Sequence, residues 1–82
     1  MKKNHNLYLV KDLARLSGLS IDTVKYYLKI GLISETGRSP ETNFRFFDDS
    51  TVGRLTEIIS LRRRKNSIKK IKELLNVKGS AN

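Results

Sequence analysis

Residues 8–33, YLVKDLARLSGLSIDTVKYYLKIGLI, constrain this 82-residue chain more tightly than any other stretch. Val10, Leu13 and Ala14 recur at helical spacing and predict a first helix over roughly Leu9 to Leu16. Ser17-Gly18-Leu19 then turns the chain, and Gly18 suits a position that needs a positive φ. Ser20 is a good N-cap, with Asp22 and Thr23 in the first turn to satisfy free amides. A second helix runs to about Ile30 and ends at Gly31, as a C-cap glycine would end it. Its expected inner stripe is Ile21, Val24 and Leu28, whereas Lys25, Tyr26 and Lys29 fall on other faces.

Two short helices meeting at a tight glycine turn are the layout of a helix-turn-helix, whose second helix enters the DNA major groove. The charge balance points the same way. Seventeen Lys and Arg against eight Asp and Glu give a net charge of +9 and a pI near 10.2. Such an excess favours a polyanion, nucleic acid before an anionic membrane. There is no cysteine, which excludes disulfides and thiolate metal sites within these residues. The single histidine, His5, sits in the polar start MKKNHN and reads as neither ligand nor base. No apolar run approaches the roughly 18 residues of a membrane span. No signal-peptide core follows the N-terminal lysines, so a cytoplasmic, nucleoid-associated protein is expected, with no membrane partner and no cofactor.

Beyond Gly31 the pattern changes. Leu32-Ile33 leads into SETGRSPET, a turn-rich stretch holding the only proline, and then into NFRFF. Two short strands around that loop predict a hairpin with Arg38 at its tip. Alternation puts Phe44 and Phe46 down on the core and aims Arg45 outward. Asp48 and Asp49 are N-cap candidates for a third helix, with Val52, Leu55, Ile58 and Ile59 as its apolar face. That helix ends in Arg62-Arg63-Arg64-Lys65, and Ser67 caps a fourth with Ile68, Ile71, Leu74 and Leu75 inward. The expected class is therefore mainly α with a small β-hairpin, a winged helix-turn-helix of four helices. Residues 1–7 read as a flexible basic arm, 8–76 as the domain and 77–82 as a flexible tail.

Four linked motifs in this order resemble the DNA-binding domain of MerR-family transcription regulators. They are Tyr8 with the LSGLS turn; Thr23 to Ile33, TVKYYLKIGLI; Phe44-Arg45-Phe46-Phe47 at the end of the wing; and Leu55, Ile58, Ser67, Ile68, Ile71, Leu74 and Leu75 in the last helix pair. The chain departs from the family pattern at several positions. Lys25 replaces an arginine and keeps its charge but not its bidentate fork. Leu28 replaces a glutamate, no proline follows Gly31-Leu32-Ile33, and Lys65 and Asn66 replace a glycine and an aromatic. The family's long dimerisation helix and effector domain do not follow residue 75. That implies either a fragment or a minimal binder akin to the excisionases that share this fold.

The DNA-binding candidates follow from helix faces, charge and the resemblance. Ser20, Asp22, Thr23, Lys25, Tyr26 and Lys29 belong to the groove-facing helix, where hydroxyls and the helix N-terminus suit phosphates and lysine reaches guanine O6 or N7. The resemblance implies that the Tyr27 hydroxyl donates to a phosphate and that Arg45 grips the backbone. The plain alternatives are a Tyr27 packed on the wing and a solvated Arg45. Arg38 is a weaker candidate of the same kind. Arg62, Arg63, Arg64 and Lys65 sit where the resemblance places a second wing; spread around more than one turn, one or two would meet phosphates. Lys69, Lys70 and Lys72 read as a solvated face, and Tyr8 as a packing residue. No catalytic constellation is present, so binding rather than catalysis is expected.

One winged module buries roughly 600–1,000 Å² on DNA, and each base contact discriminates by about 1–3 kcal/mol. Useful specificity then needs a homodimer or cooperative assembly, and the resemblance adds RNA polymerase as a candidate partner. An architectural role in recombination, replication or partition keeps the same DNA contacts. An RNA-binding or adaptor role is disfavoured, because the aromatics read as buried rather than as a stacking platform.

Overall fold

The computed structural model describes residues 6–80. Residues 1–5 of the expected arm, His5 included, and 81–82 of the expected tail lie outside the described residues. The element order is α1 (Val10–Ser17), α2 (Ile21–Lys29), β1 (Gly37–Arg38), β2 (Arg45–Phe46), α3 (Asp49–Arg63) and α4 (Ile68–Ser80). This is the expected winged helix-turn-helix order. Residues 77–80, read from the sequence as tail, continue α4.

Each helix is bounded by local chemistry. The Asp12 carboxylate accepts the Leu9 amide at 2.9 Å and so satisfies one free donor at the start of α1. Gly18 ends that helix at φ 80°. Ser20 caps α2 by accepting the Thr23 amide at 3.0 Å, and Asp48 caps α3 through the Ser50 amide at 3.0 Å. Ser67 accepts the Lys70 amide at 3.1 Å at the start of α4.

The ends of α2 and α3 share one device. At α2 the Gly31 amide donates to the Leu28 carbonyl (3.2 Å) and the Leu32 amide to the Tyr27 carbonyl (2.9 Å), a Schellman closure. At α3 the Lys65 amide donates to Arg62 (2.9 Å) and the Asn66 amide to Leu61 (3.2 Å). The left-handed residue is Gly31 in the first closure, at φ 85°, and Lys65 in the second, at φ 70°. A side chain at such a φ costs about 1–2 kcal/mol. The Asn66 amide group adds a bond to the Leu61 carbonyl at 3.0 Å, which helps hold the turn.

One core draws on all four helices and the segments that flank the hairpin. Leu13 and Ala14 from α1, Val24 and Tyr27 from α2, Leu32 and Ile33, Phe47, Leu55 and Ile58 from α3, and Ile71 and Leu75 from α4 are all buried in it. Ile21 and Leu74, both expected inward, are exposed, at 45% and 37%. Ile21 is the first residue of α2, and Val24 and Tyr27 are the residues of that helix that are buried.

The hairpin is short, and its register places its residues differently from what the sequence implied. Gly37 pairs with Phe46 and Arg38 with Arg45, so Arg38 is in a strand and not at the loop tip. Phe44 is exposed, not core. It follows Asn43, at φ 62°, and lies in the turn beyond the two-residue ladder. Phe46 is half-buried and covers Gly37, where an added Cβ would stand 2.7 Å from its ring. The aromatic that enters the core is Phe47, which is fully buried. The backbones of Phe47 and Tyr8 exchange two hydrogen bonds of 2.7 Å, and this bridge sets the direction of the Phe47 ring. Three phenylalanines within four residues leave alternation unable to choose among them, and a one-residue slip exchanges the faces. The Tyr8 hydroxyl donates to Asp49 at 2.6 Å, tying the entry of the chain to the start of α3.

Phe47→Ala is therefore expected to cost about 3–5 kcal/mol, enough to remove most of the stability of a domain this small. Phe44→Ala should stay within about 0.5 kcal/mol; thermal melts of the two variants separate these outcomes. Lys65→Gly relieves the left-handed strain and should stabilise the fold by about 1 kcal/mol, raising the melting temperature by roughly 4–8 °C.

Candidate nucleic-acid interface

The second helix of the pair presents three kinds of residue. Val24 and Tyr27 face the core, while Lys25, Tyr26 and Lys29 are exposed. Lys25 and Lys29 are four residues apart and so stand on one side, one turn above the other. The two tyrosine rings lie 6.1 Å apart at 48°. Tyr27 is 6% exposed, and no side-chain oxygen or nitrogen among the described residues is both sealed from solvent and unpartnered. Among the described residues no hydrogen bond to the Tyr27 hydroxyl is found. The ring of Tyr27 packs in the core, as the plain alternative expected of its body.

At the start of α2, Ser20 and Thr23 are joined by a 2.9 Å bond between their hydroxyls. They form the cap as well as offering polar groups at the positive end of the helix. Asp22 is exposed beside them.

The wing folds back over the other end of α2. An open groove of about 610 Å³ runs between helix and wing and is lined by Lys25, Lys29, Ser34, Glu35 and Arg45 among others. Lys25 and Lys29 thus share one concave surface with Arg45, although twenty positions separate Lys25 from that arginine. Two contacts fix the segment that builds the groove floor. The Arg54 guanidinium donates through Nε to the Leu32 carbonyl at 2.9 Å, and the Thr51 hydroxyl donates to the Ser34 carbonyl at 3.5 Å.

Arg38 and Arg45 stand directly opposite on the two strands. Glu35 lies between them and accepts Arg38 Nε at 2.9 Å and Arg45 Nε at 2.8 Å. The bond from Arg38 and then its charge, followed by those of Arg45, hold the Glu35 carboxyl below its ordinary range against the effect of desolvation. Neither Glu35 nor Arg54 was legible as a site residue. Glu35 is three positions from Arg38, a weak cue, but its second partner appears only in the hairpin register.

Arg62, Arg63, Arg64 and Lys65 are all exposed at the end of α3 and do not line the groove between α2 and the wing. They form a separate basic cluster at the α3–α4 corner. No cluster of three or more metal-ligating side chains occurs among the described residues, and no helix there is long and apolar enough to cross a membrane.

The architecture and this groove define a winged helix-turn-helix domain. The chain belongs to the MerR HTH family of regulatory proteins, whose family model matches residues 8–78. It is similar to the HTH-type transcriptional regulator CueR of Bacillus subtilis, at 29% identity over 83% of this chain and 46% of that protein. It is 33% identical to a ZntR homologue, also an HTH-type transcriptional regulator, from Haemophilus influenzae, over 84% of this chain and 50% of that one. The fold superposes on a MerR-family regulator from Bacillus cereus with a TM-score of 0.79 at 18% identity, covering 85% of this chain and 52% of the other. The chain thus spans about half the length of the relatives it matches.

Three carboxylates bonded in the folded state make the domain acid-sensitive. The Leu9 amide lowers the Asp12 pKa, the Arg38 bond lowers that of Glu35, and the Ser50 hydroxyl lowers that of Asp48. A depressed folded pKa contributes stability that is whole above the unfolded value and lost as pH falls through the folded one. The melting temperature should be level between about pH 5 and 9 and fall steadily below about pH 4.

Proposed function

We propose that this chain is the DNA-binding domain of a transcription regulator, with α2 in the major groove of duplex DNA and the wing on the adjacent backbone. The observation that carries this reading is the groove that joins Lys25 and Lys29 of α2 to Arg45 of the wing. A concave basic surface beside an exposed helix face suits a phosphate strand running along a groove edge. In this reading Lys25 and Tyr26 meet base edges, Lys29 and the Tyr27 hydroxyl meet phosphates, and Ser20, Asp22 and Thr23 sit at the helix N-terminus near the backbone. Arg38 and Arg45 form one clamp. The corner cluster Arg62 to Lys65 supplies one or two phosphate contacts as the other. Membership of a regulatory family, and relatives that are themselves transcriptional regulators, support the reading. The activity is binding rather than catalysis, exerted on DNA in the cytoplasm.

A single copy has limited discrimination, because each base contact is worth about 1–3 kcal/mol. Two copies on adjacent half-sites, as a homodimer or by cooperative loading, raise it, and RNA polymerase is the further partner of a regulator that acts at a promoter. Footprinting on the neighbouring genomic DNA separates the roles. Inverted half-sites in a promoter spacer fit the regulator, and direct repeats fit an architectural factor.

Lys25→Ala and Arg45→Ala should each weaken duplex binding without lowering the melting temperature. With about five phosphates engaged, log K should fall with log salt at a slope near −4 to −5, and Arg45→Ala should reduce that slope by about one. Unchanged affinity in both variants refutes the assignment.

A further inference from the structure

An antiparallel pair that sets two arginines face to face works against itself, because like charges directly opposite are destabilising. Arg38 and Arg45 are such a pair, and the hairpin holds them with a ladder of only two residues per strand. Glu35 offsets the repulsion with one carboxylate oxygen for each guanidinium, Oε2 for Arg38 and Oε1 for Arg45. Both bonds are made through Nε. The terminal amino groups, four of the five donors of each guanidinium, take no part in them. Glu35 is also the best covered of the three, with its side chain 31% exposed against 41% for Arg38 and 46% for Arg45. Glu35 and Arg45 both line the groove of Lys25 and Lys29, and the terminal amino groups of the two arginines are left without a bond to the carboxylate.

We propose that Glu35 is a positioning residue of the DNA interface: it aligns the two wing arginines as a preset pair with their terminal edges outward, and so strengthens the grip on phosphate although it is itself an anion. The inference rests on the DNA reading above and adds to it a residue whose charge has the wrong sign for a contact. An anion that merely competed with phosphate would be expected to occupy the terminal fork, the edge that binds a planar oxyanion bidentately. Binding through Nε leaves that edge for the ligand. Pre-alignment also lowers the entropy lost when two long side chains are immobilised on the backbone.

The sign of one substitution decides the matter. Removing an acid from a polyanion-binding face relieves repulsion and on that ground alone tightens binding; removing an aligning residue loosens it. The probe is a 30-base-pair duplex of mixed sequence titrated by fluorescence anisotropy over a salt series. Glu35→Ala and the isosteric Glu35→Gln should both bind about 2- to 5-fold more weakly than the parent, with a shallower salt slope. In an Arg38→Ala/Arg45→Ala background the loss should vanish or reverse, since no arginines remain to align. In parallel, the Nε–Hε resonances of Arg38 and Arg45 should be separately resolved in the parent and collapse toward the free-arginine position in Glu35→Gln. Tighter binding by Glu35→Ala overturns the inference, as does an equal loss in the arginine-free background, which a merely structural role would produce. If the parent binds no duplex even in dilute salt, the DNA reading fails and the inference with it.

Discussion

The turn that closes α2 is the contact on which the rest of this domain depends. The Tyr27 carbonyl accepts the amides of both Leu32 (2.9 Å) and Ile33 (3.4 Å), and Gly31 at φ 85° lets the chain double back to make those bonds. The reversal drives Leu32 and Ile33 into the core beside Tyr27. It also delivers residues 34 and 35 to the flank of the helix just ended, where the wing begins. Arg54 then holds the turn from the other side through the Leu32 carbonyl. A looser turn would leave two apolar side chains exposed and the wing without a fixed place relative to α2. Packing of the core and the shape of the basic groove thus come from a single backbone device.

Electrostatics on the wing follow from that placement. A domain with net charge +9 collects cations on one surface at a cost in self-repulsion. One place of such repulsion is the Arg38–Arg45 pair, and the structure meets it locally with Glu35. The corner at Lys65 shows a related compromise. A lysine occupies a left-handed position where glycine would be unstrained, so the corner keeps a positive charge at the expense of backbone ease. The same charge also complements the C-terminal end of the α3 dipole.

Legibility from the sequence varied with how local the cause was. Caps and turns were legible residue by residue: Gly18, Ser20, Gly31, Asp48 and Ser67 act within a few positions of themselves, through bonds their own side chains or φ angles permit. The split of α2 into core and exposed faces was mostly legible, with Ile21 and Tyr27 as exceptions. Tyr27 has a polar tip on a large apolar body, and periodicity cannot say which of the two a neighbour will cover. The wing was the least legible part. Its strands are two residues long, too short for alternation to set a register.

The order of local elements, the helix caps, the basic character and the family to which the chain belongs were written in the sequence, because each rests on short-range stereochemistry or on motifs at fixed spacing; the far end of α4 was not. Tertiary structure alone decided that Phe47 rather than Phe44 enters the core, since a backbone bridge to Tyr8 from the far side of the chain chooses that face. It alone brought Glu35 to both wing arginines and set Lys25 in one groove with Arg45. Those outcomes require the register between segments distant in sequence. Such a register is settled by the combined packing of the core, which no single stretch of residues contains.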